Sequence, residues 1–181
     1  MVNFGDLIPK ELKANISWKT VKEIEKEEEE RKKKQEQEKK IQALYDKYWI
    51  MLKEIYKKFS YKNDKWEYDS RYFRELPEKI VEKFKWSKLT STKLRQYYDI
   101  VNWLYKSNIE WEKLRSELYI MLAKANYDLW RKSIVPQEFV YFLRINIDMV
   151  FDWWYSKEKF TVFKKHFEAV VAYAKGVIKE K

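Results

Sequence analysis

The stretch LTSTKLRQYYDIVNWLY, residues 89–105, carries a helix start, an apolar stripe and the middle of the most basic part of the chain. Thr90 is a good N-cap, and Ser91 to Tyr105 follow without glycine or proline. Leu94, Tyr97, Tyr98, Val101, Leu104 and Tyr105 recur at helical spacing and share one face, so the stretch is a helix that must bury that face. Lys93 flanks the stripe on one side and Arg95 on the other, with Asn102 and Lys106 beyond Arg95. Cations along both edges suit a polyanion. They equally suit a solvated edge on which Arg95 pairs with Asp99 one turn on, and local pattern alone favours that second reading.

The surrounding composition extends the helical reading to the whole chain. In 181 residues, 45% hydrophobic and 18% aromatic content is ample for the core of one domain. Two glycines and three prolines leave few turns for strands, whereas the Lys, Glu, Leu, Tyr and Trp runs favour helices. The expectation is an all-α fold, a compact bundle of about five or six helices with a long charged N-terminal helix. Without cysteine there are no disulfides, thiolate nucleophiles or cysteine-ligated zinc or iron–sulfur sites, and a reducing cytoplasm is the natural setting. The opening MVNFGDLIPKELK lacks a basic leader followed by an apolar core, and no apolar run approaches the ~20 residues of a membrane helix. Neither secretion nor membrane insertion is expected.

The net charge of +10 is unevenly placed. Between residues 71 and 106, Arg71, Arg74, Lys79, Lys83, Lys85, Lys88, Lys93, Arg95 and Lys106 face only Glu75, Glu78, Glu82 and Asp99. Half of the excess therefore lies around the opening stretch. Such a surface attracts RNA, DNA or anionic lipid, and charge does not choose among them.

Met1 to Ser17 offers only a turn at Ile8-Pro9 and a candidate cap at Ser17. From Val21 to Lys40 almost every residue is charged, and EEEERKKK at 27–34 sets Glu27, Glu28, Glu29 and Glu30 four residues before Arg31, Lys32, Lys33 and Lys34. That orientation supports a solvated helix that buries nothing. Residues 1–40 are accordingly expected to be an N-terminal segment and helical arm, and residues 41–181 the bundle.

Within that bundle, Ile41, Leu44, Tyr45, Tyr48, Leu52, Ile55, Tyr56 and Phe59 make the first stripe. Ser60 to Arg71 reads as a loop, and Pro77 as the first position of a short helix ending near Phe84. Ser107 and Glu110 form a capping-box pattern before a helix burying Trp111, Leu114, Leu118, Met121, Leu122, Ala125 and Leu129. Its opposite edge carries Lys113, Lys124 and Arg131, interleaved with Glu117 and Asp128. Pro136 starts a helix through Trp154 that is apolar on most sides, hence central or covered by another subunit, and its Asn146 needs a hydrogen-bond partner. Ser156 caps a last helix with the stripe Phe160, Phe163, Phe167, Val170, Val171, Ala174 and Ile178. Ala169, Ala172 and Gly176 lie on its far side, small enough for close approach of another helix, whether from the same bundle or from a neighbouring subunit.

No catalytic constellation accompanies these stripes. The single histidine, His166, flanks the last stripe without a nucleophile or a second metal ligand, which suits a packed aromatic. With two glycines there is no phosphate-cradling loop, and no cofactor, metal or enzyme activity is expected.

Together, KHFEAVVAYAK at 165–175 and LTSTKLRQYYDIVNWLY at 89–105 resemble the small helical subunit of type III-A CRISPR effector complexes, the Csm complexes. The resemblance covers roughly residues 86–181. It implies a non-catalytic antiviral-defence protein, several copies of which line guide RNA and target RNA beside the backbone subunits and the large polymerase-like subunit. It also implies Lys93 and Arg95 as RNA-backbone contacts. Charge placement and helix faces add Lys88, Arg74, Lys124, Arg131 and Lys132, and the small-residue face supplies a contact between copies. The alternatives are a helical protein-interaction scaffold without direct RNA binding and the equivalent subunit of a type III-B complex.

Overall fold

The computed structural model describes residues 18–85, 87–132, 134–152 and 156–178, with backbone alone at 18–24, 41, 44, 45 and 132. The expected turn at Ile8-Pro9 and cap at Ser17 lie outside the described residues, as does Trp86. Seven helices and no strand are present among the described residues: α1 Trp18–Lys57, α2 Ser70–Phe73, α3 Glu75–Phe84, α4 Ser91–Ser107, α5 Trp111–Lys132, α6 Gln137–Phe151 and α7 Lys157–Ala174. The all-α expectation holds, with the extra helix supplied by the single turn α2.

Two units make up the chain, Met1–Tyr45 and Asp46–Lys181. In the first, residues 25–40 are exposed without exception, as expected of a helix whose charges serve one another. Of the four expected pairs, Glu29–Lys33 is closed at 2.7 Å, and Glu36–Lys40 adds another at 2.8 Å.

The second unit contains a continuous core built on α6 and α7. Phe139, Phe142, Leu143, Ile147 and Val150 of α6 are fully buried, because this helix packs against α3, α5 and α7. From α7 come Phe160, Phe163, Phe167, Val170 and Ala174, with Phe163 and Phe167 stacked and Phe167 edge-on to Phe142 at 5.1 Å. Such edge and offset contacts suit the ring quadrupoles and add to simple burial. Leu52 closes the core from the C-terminal part of α1, with Ile55, Tyr56 and Phe59 half-buried beside it.

Asn146 finds partners for its amide nitrogen, while its Oδ1 is buried without one. Its Nδ2 donates to Phe142 O at 2.8 Å and to Tyr56 Oη at 2.7 Å, and Tyr56 Oη lies 3.0 Å from His166 Nε2. Tyr56 Oη thus joins Asn146 to His166, and the tautomer of the neutral imidazole sets which of Tyr56 and His166 donates. His166 is completely buried, its Nδ1 without a hydrogen-bond partner, and burial pushes its pKa down to about 3.

Several boundaries differ from the sequence reading. Ser107 ends α4 and donates back to Trp103 O at 2.8 Å, so no capping box forms and Glu110 O opens α5 instead. Trp111 stands at the exposed first position of α5 rather than in its stripe. Pro77 is the third residue of α3, because the chain turns already at Asp69, whose Oδ1 accepts from Arg71 N at 2.9 Å to start α2. The last helix stops at Ala174; Gly176 follows in a turn with φ +88°, and Ile178 reaches the core from beyond that turn. Ala169, Ala172 and Gly176 thus do not share one helical stripe. Ala169 is half-buried, while Ala172 and Gly176 are exposed.

Candidate nucleic-acid interface

Helix α4 places its two flanking cations in different surroundings. Thr90 is extended, at φ −99° and ψ 154°, and its hydroxyl accepts from Lys93 N at 3.2 Å, which fixes the phase of the helix from its first turn. Leu94, Tyr97, Val101 and Leu104 then face the core, and residues 93 and 95, two apart and about 200° around the axis, face opposite ways.

On one side Lys93 meets α5. Its Nζ lies 2.7 Å from Asp128 Oδ2, which also accepts from the Tyr97 hydroxyl at 2.7 Å. Both ends of the ion pair are largely covered, with side-chain exposures of 20% for Lys93 and 10% for Asp128. Burial would raise the Asp128 pKa, but the hydrogen bonds from Lys93 and Tyr97 outweigh it and hold the carboxyl below its ordinary value. Tyr97 is driven well up, first by burial and then by the adjacent carboxylate. Lys93 therefore acts as a clasp between α4 and α5. Its ammonium is committed to Asp128, which sequence could not show because the acid lies 35 positions away on the next helix.

On the other side Arg95 opens onto a cleft of about 470 Å³. Thr92, Arg95, Gln96 and Asp99 line it from α4, and Val171 and Lys175 from the end of α7. Arg95, Asp99 and Lys175 are exposed, and among the described residues their side chains have no ion pair or hydrogen bond; the expected Arg95–Asp99 pair is not formed. Lys175 escaped the sequence reading although it ends one of the two diagnostic segments. A basic residue at a helix end is ordinary, and only the packing of α7 on α4 brings it beside Arg95.

The remaining cations lie on several elements. Arg74 is exposed at the junction of α2 and α3, and Lys88 in the loop before α4. Lys124 is exposed on α5 and helps to lower the Asp128 pKa, so it belongs to the Lys93 side. Arg131 is exposed with its guanidinium 5.7 Å from the Tyr127 ring. The Lys132 side chain is outside the described residues. Lys93 and Arg95 thus serve opposite sides of α4, with Lys124 on the Lys93 side. Trp103, which lies outside the α4 stripe, is 60% exposed.

A family model described as Csm2 Type III-A matches residues 67–180, more than half of the chain, a span that contains the seven basic residues singled out from sequence and Lys175. No curated protein matches the chain, and no solved structure does.

Proposed function

The chain belongs to the Csm2 Type III-A family, the small subunits of type III-A Csm effector complexes, and we propose that within such a complex it holds the backbones of guide and target RNA without reading their sequence. It is a structural subunit in this role, present in several copies beside the backbone and large subunits in the cytoplasm. The observation that carries the proposal is the pair of uncommitted cations, Arg95 and Lys175, exposed on one cleft of the family-matched segment. Arg74, Lys88, Lys124, Arg131 and Lys132 extend the positive field, whereas Lys93 positions α4 against α5. His166, sealed in the core, is out of reach of any substrate, which supports a non-catalytic role. Residues 1–40 serve as an arm distinct from the bundle at 41–181, and Ala169, Ala172 and Gly176 offer contact to a sister copy.

Lysine and arginine neutralise phosphates and release counterions, while base pairing between guide and target supplies sequence recognition. One copy neutralising ~3–4 phosphates gives a slope of log affinity against log salt of roughly −2 to −3, at about −0.7 per phosphate. Copies held side by side gain from effective concentration, so weak binding by each suffices. Binding of single-stranded RNA of several sequences across a salt series tests this. The expected result is nearly equal affinity for all sequences with that slope, flattened in Arg95→Glu/Lys175→Glu. Slopes near zero would instead favour a protein-interaction scaffold. That second reading has its own support on α5, where Ile120, Tyr127 and Trp130 recur at helical spacing and are 62%, 58% and 63% exposed.

A further inference from the structure

The cleft between α4 and α7 carries an acid among its bases. Asp99 lies one turn after Arg95 on the same helix, the spacing at which the two ordinarily neutralise each other, yet both side chains line the cavity without pairing. A cleft meant only for phosphate would gain nothing from a carboxylate, which repels the ligand. Its presence beside Arg95 and Lys175 fits a ligand that brings both an anion and a hydrogen-bond donor. A ribonucleotide has both: a phosphate for the two cations and a 2′-hydroxyl for a carboxylate acceptor. The volume of about 470 Å³ falls within the ~300–1,000 Å³ of small-ligand sites, enough for one sugar-phosphate unit with its base over Val171.

We propose that this cleft seats one nucleotide of single-stranded RNA, with its phosphate on Arg95 and Lys175 and its 2′-hydroxyl on Asp99, so that the subunit distinguishes RNA from DNA while remaining indifferent to base sequence. The proposal rests on the RNA-liner reading above and adds to it a preference that a purely electrostatic surface lacks, since DNA carries the same phosphates.

The test uses the full chain with fluorescently labelled oligo(U), oligo(dU) and 2′-fluoro oligo(U) at low salt. Wild type should bind oligo(U) about tenfold more tightly than the other two, the worth of one hydrogen bond to a charged acceptor. Asp99→Ala should bring the three affinities together, chiefly by strengthening oligo(dU) and 2′-fluoro binding as a repelling charge is lost. Asp99 is exposed, so circular dichroism should be unchanged. Equal, steeply salt-dependent binding of oligo(U) and oligo(dU) by wild type would overturn the cleft proposal and leave the liner reading standing. A preference that survives in Asp99→Ala would overturn it as well. Salt-independent binding, or none, of every oligonucleotide would bring down both.

Discussion

Charge is handled differently in the N-terminal arm and in the bundle. In the arm, Glu29 and Lys33 close a pair on one turn of one helix with both side chains more than two-thirds exposed. In the bundle, Lys93 and Asp128 close a pair of the same length across two helices with both side chains mostly covered. The first pair is screened and contributes little to stability, because water competes for both partners. The second is shielded, shares its carboxylate with Tyr97, and leaves a stranded charge if either partner is removed. Identical chemistry therefore amounts to a solubility feature in one place and a clasp in the other. Burial makes the difference.

The largest break in that contrast is Asp128→Ala. It strands the Lys93 ammonium and the Tyr97 hydroxyl in largely covered positions, and should lower the free energy of unfolding by ~2–4 kcal/mol. Lys93→Ala, which leaves the carboxylate still hydrogen-bonded to Tyr97, should cost about 1–2 kcal/mol. Arg95→Ala, on the opposite and open flank, should stay within about 0.5 kcal/mol of wild type. Urea unfolding of the three variants ranks them. Equal losses for Lys93 and Arg95 would mean that the Asp128 clasp does not operate.

The same contrast extends to pH. His166 is neutral in the fold with its pKa depressed to about 3, while an unfolded histidine titrates near ~6.5. Below ~6.5 the unfolded chain binds the proton and the folded chain does not, so this contribution is intact above ~6.5 and is lost as pH falls toward 3. At ~1.4 kcal/mol per unit, moving from pH 7.5 to pH 5 should remove about 2 kcal/mol, and His166→Gln should largely abolish that dependence whatever its own stability. The arm has no histidine. An unchanged pH profile in the variant would show that the acid sensitivity arises elsewhere.

What could be read from the sequence follows the range of each interaction. Stripes repeat every few residues on one element, so Leu94, Tyr97, Val101 and Leu104, or Phe160, Phe163 and Phe167, were legible, and with them the all-α fold. The Glu29–Lys33 pair was legible for the same reason, being local. Lys93 and Arg95 looked equivalent on their helix and are not, because what separates them is Asp128 on α5 and Lys175 after α7. Spacing alone places Trp111 in a stripe, yet it sits at the exposed first position of α5. Spacing alone places Gly176 on the last helix, but that helix ends at Ala174, where Lys175 turns extended at ψ 120°, and Gly176 follows in the left-handed region at φ +88°.

The smallest effect should come from removing the arm altogether. Side chains 25–40 are exposed throughout, their closed ion pairs lie within the arm, and the second unit starts at Asp46. Deleting residues 1–40 should therefore leave a bundle that melts cooperatively. The deletion shifts the net charge little, since residues 22–40 hold eight acids against eight bases and residues 1–21 hold two against three. RNA affinity and its salt slope should accordingly change by less than about twofold, because phosphate binding depends on cations that stay behind, Arg95 and Lys175 foremost. Circular dichroism should show helix lost in proportion to the deleted part of α1, with the near-ultraviolet signal of the packed aromatics retained. A truncated protein without a cooperative melt would mean that the arm is part of the folding unit. A flattened salt slope on a well-folded truncation would move the RNA contacts from the cleft to the arm.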